Sequence, residues 1–123
     1  MAGAELLDAK YSDGGNVDKR IPMVPEVTGT LGVSLGASWV IQGRYESSKP
    51  IFDDYLNLSP KLPSNTQIDV THTTAIAENT TLVLRTNNLF DRETYAYGVR
   101  SGSAEYYIPN EGRTFEVGLT HRF

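Results

Sequence analysis

The sequence has no cysteine, one tryptophan and two histidines, and its eleven basic residues are outnumbered by fifteen acidic ones. Without cysteine there is no disulfide framework, no thiolate metal site and no Cys nucleophile. A net charge of −4, a pI near 5.1 and scattered Lys and Arg exclude a nucleic-acid surface. No run approaches the roughly 18 apolar residues of a membrane helix, and no stretch shows the apolar period of an amphipathic helix. The opening MAGAELLDAKYSDGG has neither the basic nor the apolar region of a signal peptide. If the protein works outside the cytoplasm, this chain is expected to be an excised or truncated piece.

The usual chemical constellations are missing as well. His72 and His121 stand on different predicted strands with no carboxylate at a ligand spacing. Asp53-Asp54 beside Tyr55 lacks the spaced oxygens of a Ca²⁺ loop. Gly29, Gly32, Gly36 and Gly43 precede no helix and so form no phosphate loop. No Ser or Thr has a plausible His partner for nucleophilic catalysis. The sequence therefore predicts no metal, no cofactor and no enzymatic activity.

What the chain does contain is period-two alternation. Val27, Gly29, Leu31, Val33 and Leu35 alternate with Thr28, Thr30, Gly32, Ser34 and Gly36, which is a strand with one apolar and one small polar face. After a break at Gly36-Ala37, Trp39, Ile41 and Tyr45 oppose Gln42, Arg44 and Glu46, with Val40 the one misfit. Over 66–77, Ile68, Val70 and Ile76 oppose Gln67, Asp69, Thr71 and Thr73. Leu82 and Leu84 then oppose Thr81, Arg85 and Asn87. The last strand sets Phe115, Val117, Leu119 and Phe123 against Thr114, Glu116, Thr120 and Arg122. Glu5–Ser12, with Leu7, Ala9 and Tyr11 on one side, is a weaker sixth strand. The prediction is an all-β antiparallel meander of about six strands.

Two connections are short, at Gly36-Ala37 and Ala77–Asn79; three are long, Asp13–Glu26, Ser47–Asn65 and Asn88–Gly112. In a meander that order puts every long loop at one end, as in a transmembrane barrel with short turns on one side and long loops on the other. Leu31, Val33, Leu35, Trp39, Ile41, Tyr45, Ile68, Val70, Leu82, Leu84 and Val117 would then face lipid or its aromatic girdles. Phe115 and Phe123 lie eight residues apart on the last strand's apolar face, roughly 20 Å along the membrane normal at ~3.3 Å per residue and a tilt of ~40°. The same alternation would also build a small soluble β-sandwich acting as a binding or adhesion module. A sandwich would stay monomeric without detergent, and lipid-facing strands would not.

The end of the chain carries a family resemblance. Asn88-Leu89-Phe90-Asp91, Tyr95, Pro109, Gly112-Arg113-Thr114-Phe115, Gly118-Leu119 and Arg122-Phe123 occur in order, and this series resembles the C-terminal signature of TonB-dependent outer-membrane receptors. RIPMVP at 20–25 and Leu62–Thr66 leading into Ile68-Asp69-Val70 are similar to the family more weakly. His121, on the lipid-facing side, departs from it, as do Thr86 and Asn87 before the motif. The resemblance implies that residues 1–123 are the C-terminal portion of a 22-stranded-type barrel, without the plug domain, in the outer membrane of a Gram-negative bacterium. It further implies energy-coupled nutrient uptake, a ferric siderophore being the default cargo. The implied partners are outer-membrane lipid, the rest of the barrel and its plug, the TonB complex acting through that plug, and the barrel assembly machinery, which would read the last strand ending at Phe123. Arg92, Tyr97, Arg100, Tyr106 and Tyr107, in the last long loop, are candidate extracellular contacts for the siderophore.

Overall fold

Alternation of this kind is realised as strands wherever a neighbour can complete the backbone ladder. The computed structural model describes residues 2–12 and 14–123; Met1 and Asp13, the first residue of the first long loop, lie outside them. The strands in chain order are β1 (Ala2–Leu6), β2 (Val27–Leu35), β3 (Trp39–Glu46), β4 (Asn65–Ala77), β5 (Thr80–Asn87), β6 (Tyr95–Ser101), β7 (Ala104–Pro109) and β8 (Thr114–His121). Six form one antiparallel sheet in the order β1-β2-β3-β4-β5-β8, and β6 and β7 form a separate hairpin. A single 3-10 turn, Gly14–Asn16, is the only helical element among the described residues, and among them no helix is long and apolar enough to cross a membrane.

The register carries the apolar face across the sheet without a break. Leu35 opposes Trp39, Trp39 opposes His72, His72 opposes Leu84, and Leu84 opposes Val117. A second row runs Val33, Ile41, Val70, Thr86, Phe115. A slip of one residue in any pair would turn that strand's apolar set to the other side. The ladder is interrupted at Ile76, where the β4–β5 register shifts between Ala75 and Ala77 and Ile76 is left as a bulge.

Two sequence readings need correction. The first strand covers Ala2–Leu6, not Glu5–Ser12, and its sheet-facing parity is the opposite one: Leu6 lies beside Val27 and Ala4 beside Gly29. Past Leu7, whose N–H donates to the Glu26 carbonyl, the chain leaves the sheet. There Asp8 is paired with Lys10 and Arg20, and only isolated bridges at Lys10 and Tyr11 remain. The second correction is that the last long loop is not irregular throughout, since it contains the β6–β7 hairpin.

The turns Gly36–Ser38 and Glu78-Asn79 lie at one end of the sheet and the long connections at the other. Among the described residues no second sheet packs across the first. The hydrophobic core is accordingly absent from the sheet: the buried apolar side chains among the described residues, Ile51 and Leu62, both lie in the β3–β4 loop.

Candidate functional site

The six-stranded sheet presents two chemically different faces. On one, Leu31, Leu35, Trp39, Leu84, Phe115, Val117 and Leu119 are all exposed, the last three each by more than 60%. That is a contiguous apolar surface, far beyond the scattered exposed apolar residues of a soluble protein. The sequence placed these residues on one face, and the register does bring them together, with Ile41, Tyr45, Ile68, Val70 and Leu82 alongside. At the loop end stand Tyr45 and Phe115, and at the turn end Trp39 and Phe123, so aromatic rings bracket the band.

Both histidines stand at the turn end of this face. The His72 ring stacks on Trp39 with centroids 4.2 Å apart. His121 Nδ1 lies 2.7 Å from the Thr80 hydroxyl, and its ring meets Phe123 edge-on at 4.8 Å. The His121 ring is thus held by a hydroxyl and an aromatic neighbour, while His72 has an aromatic neighbour and its Nδ1 is buried without a hydrogen-bond partner. The described residues contain no group of three or more His, Cys, Asp or Glu that could hold a metal.

The opposite face is polar and internally bonded. Asp69 is buried, accepting from Arg44 Nη2 at 2.9 Å, Gln67 Nε2 at 2.8 Å and the Asn88 N–H at 2.9 Å. Arg85 reaches Glu116 at 3.4 Å across β5 and β8. A groove of about 690 Å³ runs over this face towards the long loops, with Arg44, Asn65, Gln67, Asn87, Thr114 and Glu116 among its walls. Thr, Asn, Gln and charged side chains at every second position give a surface that water can fill.

The signature residues between β5 and β8 have a local geometric reason. Asn88 (φ 53°) and Asp91 (φ 52°) both occupy the left-handed region, which Asn and Asp tolerate better than other side-chain-bearing residues. The Asn88 amide closes the turn by accepting from the Arg92 N–H and donating to its carbonyl. Asp91 Oδ1 accepts from the Arg113 N–H at 2.8 Å, and the Arg113 guanidinium lies over the Phe115 ring at 5.7 Å. A Cβ on Gly112 would sit 2.8 Å from Asp91 Oδ1, so any larger residue there must displace the carboxylate that holds Arg113.

Above the sheet the long loops form a cap with its own small core. Ile51, Leu62 and Pro50 are fully buried under the β6–β7 hairpin, which docks through Phe52 N–H to Gly98 O (2.7 Å) and Arg100 N–H to Phe52 O (2.8 Å). Asp54 is also buried and accepts from the N–H groups of Leu58 and Ser59. Asn57 links this loop to the first one, accepting from the Arg20 N–H and donating to its carbonyl.

The five candidate ligand residues divide across the cap. Arg100 is turned inward, donating to Ser59 Oγ at 2.8 Å and lying 3.7 Å from Asp54. Tyr107 stacks on Tyr95 at 5.7 Å, on the hairpin side that also carries Gly98 and Arg100. Tyr97 and Tyr106 share the other side with Val99 and Ile108, and Tyr97 packs on Phe52 at 5.8 Å. Arg92 is exposed. Sequence reasoning missed Phe52, Asp54 and Ser59 because nothing in their local spacing links them to residues near position 100. Nearby, the Tyr55 hydroxyl bonds to Asp53, and that carboxylate pushes the phenol above its ordinary range.

An exposed apolar face, a bonded polar face and long loops gathered at one end define a segment of β-barrel wall. No family model matches the chain, and no curated protein sequence matches it. Among solved structures it is similar to the ferric yersiniabactin uptake receptor FyuA from Yersinia pestis, with a TM-score of 0.68 at 19% sequence identity. The similarity covers 88% of this chain and 18% of that receptor. At this identity the likeness is one of fold.

Proposed function

We propose that the chain is a wall segment of a TonB-dependent outer-membrane receptor, taking part in energy-coupled nutrient uptake with a ferric siderophore as cargo. The observation that carries this reading is the location of the apolar surface. The sheet exposes one whole face of large apolar side chains while the buried apolar residues sit in the cap, which is the distribution expected when lipid is the solvent on that side. The ordered signature from Asn88 to Phe123 and the fold shared with a siderophore uptake receptor both support it.

In this reading β1 and β8 are not free edges. An unpaired backbone group at membrane depth costs several kcal/mol, so further strands of the same receptor close the sheet on both sides. The polar face lines the lumen and meets a plug, through which the TonB complex acts. The strand from Phe115 to Phe123 is read by the assembly machinery. Arg92, Tyr106 and Tyr107 are the exposed cap residues that can meet a ligand, whereas Arg100 and Tyr97 hold the hairpin to the β3–β4 loop. The segment contributes transport and recognition, not catalysis.

The test is the mass and location of the native protein, detected with an antibody against this segment. A heat-modifiable outer-membrane species several times larger than 13.6 kDa is the expected result. A detergent-independent monomer of 13.6 kDa would instead return the chain to the class of soluble modules.

A further inference from the structure

In an antiparallel meander a tight turn sets the register of the strands it joins. β2 and β3 have such a turn, and so do β4 and β5. β5 and β8 do not: residues 88–113 lie between them and include a whole hairpin. The hydrophobic pattern cannot make up the difference. A one-residue slip would turn β8 over, but a two-residue slip keeps every apolar side chain on the apolar face. Some other feature must select the observed pairing of Asn87 with Thr114 and Val83 with Gly118.

We propose that the Asn88–Asp91 turn, anchored on Asp69 and closed on Gly112-Arg113, is a clasp that sets the register of the final strand independently of the hairpin beyond it. Asp69, Asn88 and Asp91 are its positioning residues. The clasp begins in β4, where Asp69 Oδ1 accepts the Asn88 N–H and the Ile68 carbonyl accepts the Leu89 N–H at 2.8 Å. It continues through the turn, where Asp91 N–H donates to Asn88 O at 2.9 Å. It ends on the first residues of the last strand's approach, with Asp91 Oδ1 on the Arg113 N–H and Arg113 Nη1 3.4 Å from Leu89 O. The next residue, Thr114, is then delivered to Asn87, whose amide bonds its hydroxyl at 3.2 Å.

The hairpin has a second, separate closure. Asn110 donates its N–H to Thr94 O and its side-chain amide to Thr94 Oγ1, at 2.8 and 2.9 Å. Strain or variation in the hairpin is therefore contained before it reaches the clasp, and the clasp hands β8 to β5 in one register. This inference requires only that β5 and β8 pair, and does not rest on the transport reading.

The chain contains no cysteine, so introduced pairs report register directly. In the native protein, Val83→Cys with Gly118→Cys reads the observed pairing. Val83→Cys with Glu116→Cys or Thr120→Cys reads a two-residue slip, because diagonal neighbours lie beyond easy disulfide reach. Asp91→Gly keeps the left-handed turn but removes the acceptor, and Asp91→Asn keeps both. The ratio of in-register to slipped disulfide should fall at least about tenfold in Asp91→Gly, the scale of one lost hydrogen bond to a charged acceptor, and stay near wild type in Asp91→Asn. Replacing residues 93–111 with a short Gly/Ser linker should leave the ratio unchanged. An unchanged ratio in Asp91→Gly would overturn the proposal. If Asp91→Gly fails to assemble, the linker exchange decides alone: loss of the observed register with the clasp intact would place the control in the hairpin instead.

Discussion

Gly98→Ala tests whether the cap over the long-loop end is a packed unit or a loose tangle of loops. A Cβ built on Gly98 would lie 2.7 Å from Ile51 Cγ2, 3.1 Å from Leu62 Cδ2 and 3.3 Å from Ile51 Cβ. Ile51 is β-branched and completely buried, so it has no free rotamer into which to retreat. The two strands cannot separate cheaply either, because Phe52 and the β6 backbone hold one another through two hydrogen bonds. Inserting one methyl into such a site costs about 1–3 kcal/mol. At ~1.36 kcal/mol per factor of ten, the open cap should become roughly 5- to 150-fold more populated.

Limited proteolysis of the assembled protein reads that population when opening is fast relative to cleavage. Cuts should appear within 47–64 and 95–109, while the strands of the sheet stay protected. Ile51→Ala removes the group that the new Cβ strikes, so Gly98→Ala in that background should cost less than in wild type, with a coupling of roughly 0.5–3 kcal/mol. Cleavage of Gly98→Ala at the wild-type rate, or full additivity of the two changes, would refute the packing argument.

Other expectations follow from the same structure. Leu31→Arg, on the apolar face at the middle of β2, should cost about 2–4 kcal/mol near the bilayer midplane and lower the temperature at which the barrel loses heat-modifiable mobility, whereas Thr30→Arg, one residue away on the polar face, should leave that temperature nearly unchanged. Phe123→Ser should reduce the amount of protein reaching the outer membrane, measured by fractionation, with wild-type levels counting against a role in assembly. The Tyr55 phenol, raised by its bond to Asp53, should titrate above the ordinary tyrosine range by ultraviolet absorbance, and Asp53→Asn should bring it down. The sign follows from the raised value: the protonated phenol favours the folded loop below the ordinary range, and that contribution is lost as pH rises through the shifted one.

The sheet was legible because its signal is repeated. Leu31, Val33 and Leu35 alternate with small polar residues, and the strands around Ile41, Val70, Leu84 and Val117 do the same, so five of its six strands could be placed. The sixth was misplaced because Ala2–Leu6 is Ala- and Gly-rich and has no β-branched residue to mark it. The β6–β7 hairpin did leave a trace in Ser101-Gly102-Ser103, where Gly102 takes φ 63° in a two-residue turn. The Pro, Asn and Asp content around it suggested irregular loop.

The cap core was out of reach of sequence reasoning. Ile51 and Leu62 stand beside prolines with no periodic apolar pattern around them, and the partner that buries them is a glycine many residues further on. Asp69 could be read as a polar-face residue, but its bond to the Asn88 backbone appears only once β4 and β5 are in register. Likewise Asn88 and Asp91 were visible as a motif, while the reason for them is a pair of left-handed dihedrals and a contact with Arg113.

The apolar face of the sheet is expected to meet lipid. Trp39 is the only tryptophan in the chain and stands on that face, 45% exposed. Reconstituted into vesicles whose acyl chains carry bromine, the protein should lose most of its tryptophan emission to the brominated lipid, and aqueous iodide should quench it little. Strong quenching by iodide with no effect of the brominated chains would mean that this face looks into water, and the barrel-wall account would be wrong.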